Sequence, residues 1–178
     1  MDIALVDCYD RTGQVIGTKP RADIDRRRDI VPTAYVLVVT RASEMLLARI
    51  AEHGDHPRLY TGLLGCPAAT MIRHGESADA AAQRALEHDL GITDAVPRFL
   101  GKEMAELPDG VVRLIHGFLV TGINAISPTA GEGSVIQRMT RSALEHALHQ
   151  RSAFAPTFLA LWDRYSDRVS FSLFRSYP

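Results

Sequence analysis

The sequence is poor in cysteine and has no long apolar run. Its 178 residues include two cysteines, Cys8 and Cys66, which stand in different contexts and lack metal-type spacing. This usage favours a reducing compartment over a disulfide framework. No run approaches the roughly 18 to 20 apolar residues that cross a bilayer, and the opening MDIALVDCYD lacks the layout of a signal peptide. We therefore expect no membrane partner and a cytoplasmic location.

An excess of charge of either sign is also missing. The formal net charge is -1 at pH 7, and the charged share of 23% and hydrophobic share of 46% are ordinary for a soluble globular protein. This balance argues against a nucleic-acid partner that is bound by bulk electrostatics. The basic run at residues 26–28 is interpreted as a solvated turn or helix end.

Apolar periodicity predicts several strands and one well-marked helix. Residues 77–90 follow a 3.6-residue period, with Ser77 as a plausible N-cap and Gly91 just past the last turn. A hairpin is predicted at residues 4–17, further strands at 33–40, 45–50, 98–107, 111–123 and 135–139, and further helices at 141–149 and 156–165. This order of strands, helix, strands and helices predicts an α+β fold.

The helix lies in the stretch GESADAAAQRALEHDLGI, residues 75–92, called the box segment below. It resembles the Nudix box, G-x5-E-x7-R-E-U-x-E-E-x-G-U, in which U is a bulky aliphatic residue. In a gapless alignment the first glutamate, the arginine and the closing pair of the motif fall on Glu76, Arg84, Gly91 and Ile92. The first glycine and the three other glutamates of the motif fall on Thr70, Ala85, His88 and Asp89.

The resemblance extends beyond the box segment. The stretch VDCYDRTGQVIGTKPRADI, followed by a long apolar strand and LLARI, looks like the opening of the Nudix subfamily that contains isopentenyl diphosphate isomerase. The stretch FAPTFLALWDRY resembles the C-terminal helix of the same group. The resemblance implies a Nudix fold, an α/β/α sandwich with a mixed β-sheet and a loop–helix–loop. The expected single domain spans residues 1–165, with an N-terminal β-hairpin and a C-terminal tail at 166–178.

The family resemblance implies cleavage of a phosphoanhydride in a nucleoside diphosphate that is linked to another group. Such hydrolysis uses Mg²⁺ or Mn²⁺ to neutralise phosphate oxygens and to position a water molecule. Positions 85, 88 and 89 share one helical face, where three glutamates would hold a hard cation. In this chain Ala85 supplies no ligand, His88 supplies a nitrogen that suits Mn²⁺ or Zn²⁺ better than Mg²⁺, and Asp89 supplies a shorter carboxylate.

Two functional hypotheses remain open at this point. One is a Nudix-type hydrolase with Mg²⁺ or Mn²⁺, weakened by the missing glutamates. The other is a Nudix-fold protein that binds a ligand or regulates a partner without diphosphate hydrolysis, since a fold alone does not fix a function. Either way the expected partner is a small-molecule diphosphate or nucleotide, and the family resemblance allows a homodimer.

The candidate site residues follow from the alignment. The candidate metal ligands are Glu76, His88 and Asp89, and the candidate catalytic residues are Arg84 and Glu132. A structural interpretation stands beside each role. Arg84 could instead hold a glutamate of the box segment in place, Glu76 could organise the loop before the helix, and the Gly-rich surroundings of Glu132 also suit a plain loop. Isomerase activity is not expected, because the cysteine of that branch falls on Ala69.

Overall fold

The segments that the structure describes contain nine strands. The computed structural model describes residues 4–51, 60–127 and 135–169. The strands are β1 Leu5–Tyr9, β2 Val15–Pro20, β3 Pro32–Thr40, β4 Glu44–Arg49, β5 Leu64–Gly65, β6 Ala68–Met71, β7 Arg98–Glu106, β8 Val112–Ile123 and β9 Val135–Thr140. Strands β1 and β2 pair as a separate antiparallel hairpin, and the other seven form one sheet.

Helices cover both faces of this sheet. In the described segments they are α1 Ala78–Leu90, α2 Arg141–Ala147 and α3 Pro156–Tyr165. Because side chains alternate along a strand, β3 contributes to two cores. Val36 and Val38 pack with the apolar stripe of α1, whereas Leu37 and Val39 pack with residues of α2 and α3. Strands β3 and β8 are parallel and their other neighbours are antiparallel. The predicted α+β fold, an α/β/α sandwich with a mixed sheet, is confirmed.

Strand β3 changes its neighbour halfway along its length. Residues Thr33 to Val36 pair with β6, whereas Val38 and Val39 pair with β4. On its other side β3 pairs with β8 from Pro32 to Thr40. Because β4 and β6 diverge from the same edge of β3, an opening forms between them, and residues of all three strands line a cavity there.

The box segment folds into the predicted helix with the predicted ends. The Oγ atom of Ser77 accepts a hydrogen bond from the backbone N–H of Ala80 at 3.2 Å, and Gly91 adopts a left-handed φ of 65°. Helix α2 stops at Ala147 rather than at residue 149, because its last turn tightens, with the N–H of His149 donating to the carbonyl of His146.

Paired glycines allow α3 to approach the sheet closely. Gly101 of β7 and Gly117 of β8 are register partners. A Cβ atom at Gly101 would lie 2.8 Å from Cζ of Tyr165, and one at Gly117 would lie 2.6 Å from Cδ2 of Leu161. These distances are shorter than van der Waals contact, so the two glycines leave the space that the side chains of α3 occupy.

Within the described segments, no helix combines the length and the apolar character needed to span a membrane.

Candidate functional site

The cavity between β4 and β6 has a volume of about 400 Å³ and includes part of the box segment in its wall. Helix α1 presents Arg84, Ala85, His88 and Asp89 to it. The strands and the start of α3 supply most of the remaining wall, including Thr33, Tyr35, Thr70, Arg113 and Thr157. A volume of this size accommodates a small molecule.

Arg84 and Glu76 form a two-point ion pair between α1 and the loop before it. The Nε and Nη2 atoms of Arg84 donate to the two carboxylate oxygens of Glu76, each at 2.8 Å. Arg84 also donates to Oγ1 of Thr70 and to the carbonyl oxygen of Met71, both at 3.0 Å. The guanidinium thus joins the loop, α1 and β6, which agrees with the structural interpretation of Arg84.

The carboxylate of Glu76 is ionised and fully engaged. Burial alone would raise the pKa of Glu76, but the hydrogen bonds from Arg84 and from the backbone N–H of Arg73, at 2.9 Å, outweigh burial and lower that pKa. Both oxygens of Glu76 therefore already accept strong hydrogen bonds from the protein. A cation at Glu76 would have to compete with this arrangement.

Asp89 and His88 lie together at the end of α1. The Oδ2 atom of Asp89 accepts a hydrogen bond from the backbone N–H of Ala69 at 3.1 Å, and Oδ1 lies 2.8 Å from Nδ1 of His88. The Asp89 side chain is 21% exposed, whereas that of His88 is 63% exposed. Asp89 therefore connects α1 to β6 while it also faces the cavity.

The structure thus divides the three predicted metal ligands. His88 and Asp89 contact each other, but Glu76 is paired with Arg84. Among the residues that the structure describes, no group of three or more His, Cys, Asp or Glu side chains is placed to hold a metal ion. Ala85 is 2% exposed and adds only a methyl group to the wall. The predicted catalytic residue Glu132 lies outside the described residues.

Cys66 also lines the cavity, but it is not poised as a nucleophile. Burial raises the pKa of the Cys66 thiol to about 12, so that the thiol stays protonated at neutral pH. Cys66 therefore acts here as a small apolar residue of the wall.

Sequence reasoning missed Arg113, a buried cation in the wall of the cavity. Arg113 is 5% exposed, and its one hydrogen bond within the described segments goes to the carbonyl oxygen of its neighbour Val112, at 3.3 Å. No carboxylate of the described residues lies within ion-pair distance of it. The signal in the sequence was one arginine inside the apolar run VVRLIHGFLV, where a charge is seldom buried without a partner.

The architecture and the site together define the class. The chain has the Nudix fold. The loop–helix–loop with its arginine–glutamate pair lies where the Nudix resemblance places it, and the cavity lies beside it. No family model matches the chain.

Solved structures of Nudix proteins share this fold at low sequence identity. A protein from Deinococcus radiodurans superposes with a TM-score of 0.71 at 13% identity, over 90% of this chain and 99% of that one. The MutT protein of Methanosarcina mazei gives 0.60 at 19% identity, over 77% and 93%. The Nudix domain of NrtR from Shewanella oneidensis, solved with ADP-ribose, gives 0.59 at 16% identity, over 84% and 96%.

A curated relative adds similarity in sequence. An uncharacterized Nudix hydrolase from Pseudomonas aeruginosa is 30% identical over 107 residues, which cover 60% of this chain. The match spans 62% of the length of that relative. The resemblance to the Nudix superfamily is confirmed by these comparisons.

Proposed function

We propose that the chain is a Nudix-superfamily protein that binds a small nucleotide or other diphosphate in the cavity, with little or no hydrolysis. The observation that carries this proposal is which side chains the box segment has at the glutamate positions of the motif. Of the four glutamate positions of the motif, only Glu76 and Asp89 keep a carboxylate, and both accept hydrogen bonds that hold the fold together. Ala85 and His88 occupy the other two positions. The architecture of the motif is retained while its metal-binding capacity is reduced.

Physical chemistry explains why hydrolysis would suffer more than binding. Mg²⁺ takes oxygen ligands in near-octahedral geometry, and one carboxylate beside a histidine offers a weaker protein site than the three glutamates of the motif. Without the cation, the charge that develops on the phosphate oxygens is not neutralised and the attacking water is not positioned. Binding of the ground state needs only a cavity with complementary charge, and five arginines line this one, namely Arg21, Arg26, Arg73, Arg84 and Arg113.

The comparisons support the ligand class. The NrtR domain that shares this fold was solved with ADP-ribose, a nucleoside diphosphate that carries a second sugar. A ligand of that kind in this chain would be a soluble metabolite, consistent with the expected cytoplasmic location. A homodimer stays part of the proposal because of the family resemblance.

A second candidate function is slow hydrolysis with Mn²⁺ or Mg²⁺. It is favoured by the contact between His88 and Asp89, both of which line the cavity. These two side chains could begin a metal site if Glu132 supplied a further ligand or acted as the base. Mn²⁺ accepts imidazole more readily than Mg²⁺ does, so activity of this kind would be stronger with Mn²⁺.

Restoring the missing glutamates separates these functions. We expect the triple variant Ala85→Glu, His88→Glu, Asp89→Glu to gain Mg²⁺ binding and diphosphate hydrolysis that the wild type lacks. The matched control is Ala80→Glu, which adds a carboxylate to an exposed position on α1 away from the cavity. Calorimetric titration of Mg²⁺ and a phosphate-release assay provide the readouts.

The opposite result would favour the second function. Metal-dependent turnover by the wild type that disappears in Asp89→Asn would contradict the proposal. The asparagine variant is preferred to alanine because its side-chain oxygen can still accept the hydrogen bond from Ala69.

A further inference from the structure

Arg113 is a buried cation in the wall of the cavity. A guanidinium has five N–H donors and stays charged in proteins, and a buried charge without a partner is costly. Arg113 is 5% exposed, yet within the described segments it makes one weak hydrogen bond and no ion pair. Its side chain lines the cavity. The donors that the described residues leave unused are therefore available to a ligand in that cavity.

The start of helix α3 adds positive potential in the same place. The N-cap position of α3 is Ala155, which cannot cap with its side chain, and the first turn contains no acidic residue. Thr157, in that first turn, is 6% exposed and lines the cavity. An uncapped helix N-terminus carries unpaired N–H groups and a partial positive charge, both of which favour an anion.

Two tyrosines complete this part of the wall. The hydroxyl of Tyr60 is buried, and no hydrogen-bond acceptor or donor of the described residues contacts it closely, although the carboxylate of Asp109 is near enough to affect its pKa. Tyr60 also holds a φ of 69°, a strained backbone conformation for a residue with a side chain. Burial, and then the neighbouring Asp109, raise the pKa of Tyr60, and burial raises the pKa of Tyr35. Both hydroxyls therefore stay protonated and can donate hydrogen bonds.

We propose that Arg113, Tyr60, Tyr35 and the N-terminus of α3 form a subsite that binds an oxyanion of the ligand directly, without a metal ion. The oxyanion is a phosphate or a carboxylate group, since both accept the paired hydrogen bonds of a guanidinium. The subsite lies on β3, β8, α3 and the turn before β5, so it is distinct from the box segment on α1. The inference rests on the proposed use of the cavity for ligand binding.

The subsite predicts an unusual relation between stability and binding. Among the described residues the charge of Arg113 is desolvated without an ion-pair partner, so removing it should relieve a cost. Binding sites commonly trade stability for affinity in this way. The variant Arg113→Met keeps an unbranched apolar stem and removes the guanidinium with its charge and donors. It should lose anion binding without loss of stability, whereas a purely structural arginine would leave the protein less stable.

The experiment uses the whole chain in the presence of EDTA. Thermal unfolding and calorimetry are followed with inorganic phosphate, with succinate as a dicarboxylate, and with potassium chloride as an ionic-strength control. We expect one of the two oxyanions to raise the wild-type Tm, and the stronger effect identifies phosphate or carboxylate as the preferred group. In Arg113→Met we expect affinity to fall roughly tenfold or more, with the Tm of the free protein unchanged or higher.

The matched control is Arg41→Met, which makes the same change of charge at an exposed arginine outside the cavity. Arg41→Met should keep the ligand-induced shift. The variant Arg113→Lys should fold and retain part of the binding, because the charge remains without the paired donors. Equal stabilisation of wild type and Arg113→Met would overturn the subsite, as would a lower Tm of free Arg113→Met or no stabilisation of the wild type by either oxyanion.

These outcomes are separable from those of the proposed function. Suppose that the wild type shows metal-dependent turnover and that its phosphate binding requires Arg113. This pair of results would refute only the proposed lack of hydrolysis. Nucleotide binding that is insensitive to Arg113→Met would refute only the subsite.

Discussion

At the residue scale, the contact between Arg84 and Glu76 separates the structure of the box segment from its chemistry. The side chain of Arg84 is 26% exposed and that of Glu76 is 16% exposed, and two hydrogen bonds of 2.8 Å join them. It organises the loop–helix–loop whether or not a metal binds nearby. An intact pair therefore indicates a retained fold and says little about catalysis.

Glu76→Gln should destabilise the protein by about 2 kcal/mol at neutral pH, because it removes the charge that Arg84 and the Arg73 N–H contact. The folded-state pKa of Glu76 is lowered, so its contribution is complete above the ordinary glutamate pKa of about 4.3 and is lost as the pH falls through the lowered value. Urea unfolding of both proteins from pH 7 down to pH 3 checks this. A difference that does not shrink with acid would contradict the assignment.

His116 on β8 should make the stability of the fold depend on pH a second time, in a higher pH range than Glu76 does. Burial, and then the charge of Lys102, lower the pKa of His116 to about 4. Because the unfolded chain binds this proton near pH 6.5 and the folded chain does not, stability should fall as the pH drops from about 6.5 to about 4. His116→Gln should remove a loss on the order of 2 kcal/mol across that window. Chemical unfolding at pH 7, 5.5 and 4.5 provides the test, and identical pH profiles would exclude His116 as the cause.

At the element scale, helix α1 was predictable because its signals are local. Its stripe of Ala and Leu residues, the cap at Ser77 and the glycine at 91 all lie within one stretch of sequence. Strands β5 and β6 were not predictable from the sequence, since they are two and four residues long and exist through pairing with β4 and β3. The environment of Arg113 depends likewise on α3 and on the turn at Tyr60, which are far away in sequence.

The packing of α3 on the sheet should be sensitive to substitution of Gly101, one of the two paired glycines that α3 approaches. Gly101→Ala should destabilise the protein by about 1–3 kcal/mol, because the new methyl group would overlap the ring of Tyr165. The control is Gly17→Ala on β2, where a Cβ meets no atom within 4 Å, and its effect should be small or slightly stabilising. Thermal unfolding measures the difference in stability between the two variants. Equal effects would show that the space left by Gly101 does not position α3.

At the scale of the whole molecule, the arginine-rich wall of the cavity contrasts with the nearly neutral charge of the chain. The chain has a net charge of -1, yet five arginines line the cavity, and Asp89 is the one carboxylate among its described lining residues. The Nudix architecture was predictable from motif order and spacing. The charge of the cavity was not, because it depends on side chains that converge from five separate places in the chain.

The most direct test of metal-independent ligand binding is a calorimetric titration of the wild type with three compounds. These are ADP-ribose, another nucleoside diphosphate sugar and a nucleoside triphosphate. Each is titrated once in EDTA and once in Mg²⁺, and the mixture is then analysed for cleaved products. We expect saturable binding of at least one of these compounds, with affinities in EDTA and Mg²⁺ that agree within about twofold, and intact ligand afterwards. Binding that requires Mg²⁺, accompanied by cleavage of the phosphoanhydride, would contradict this expectation.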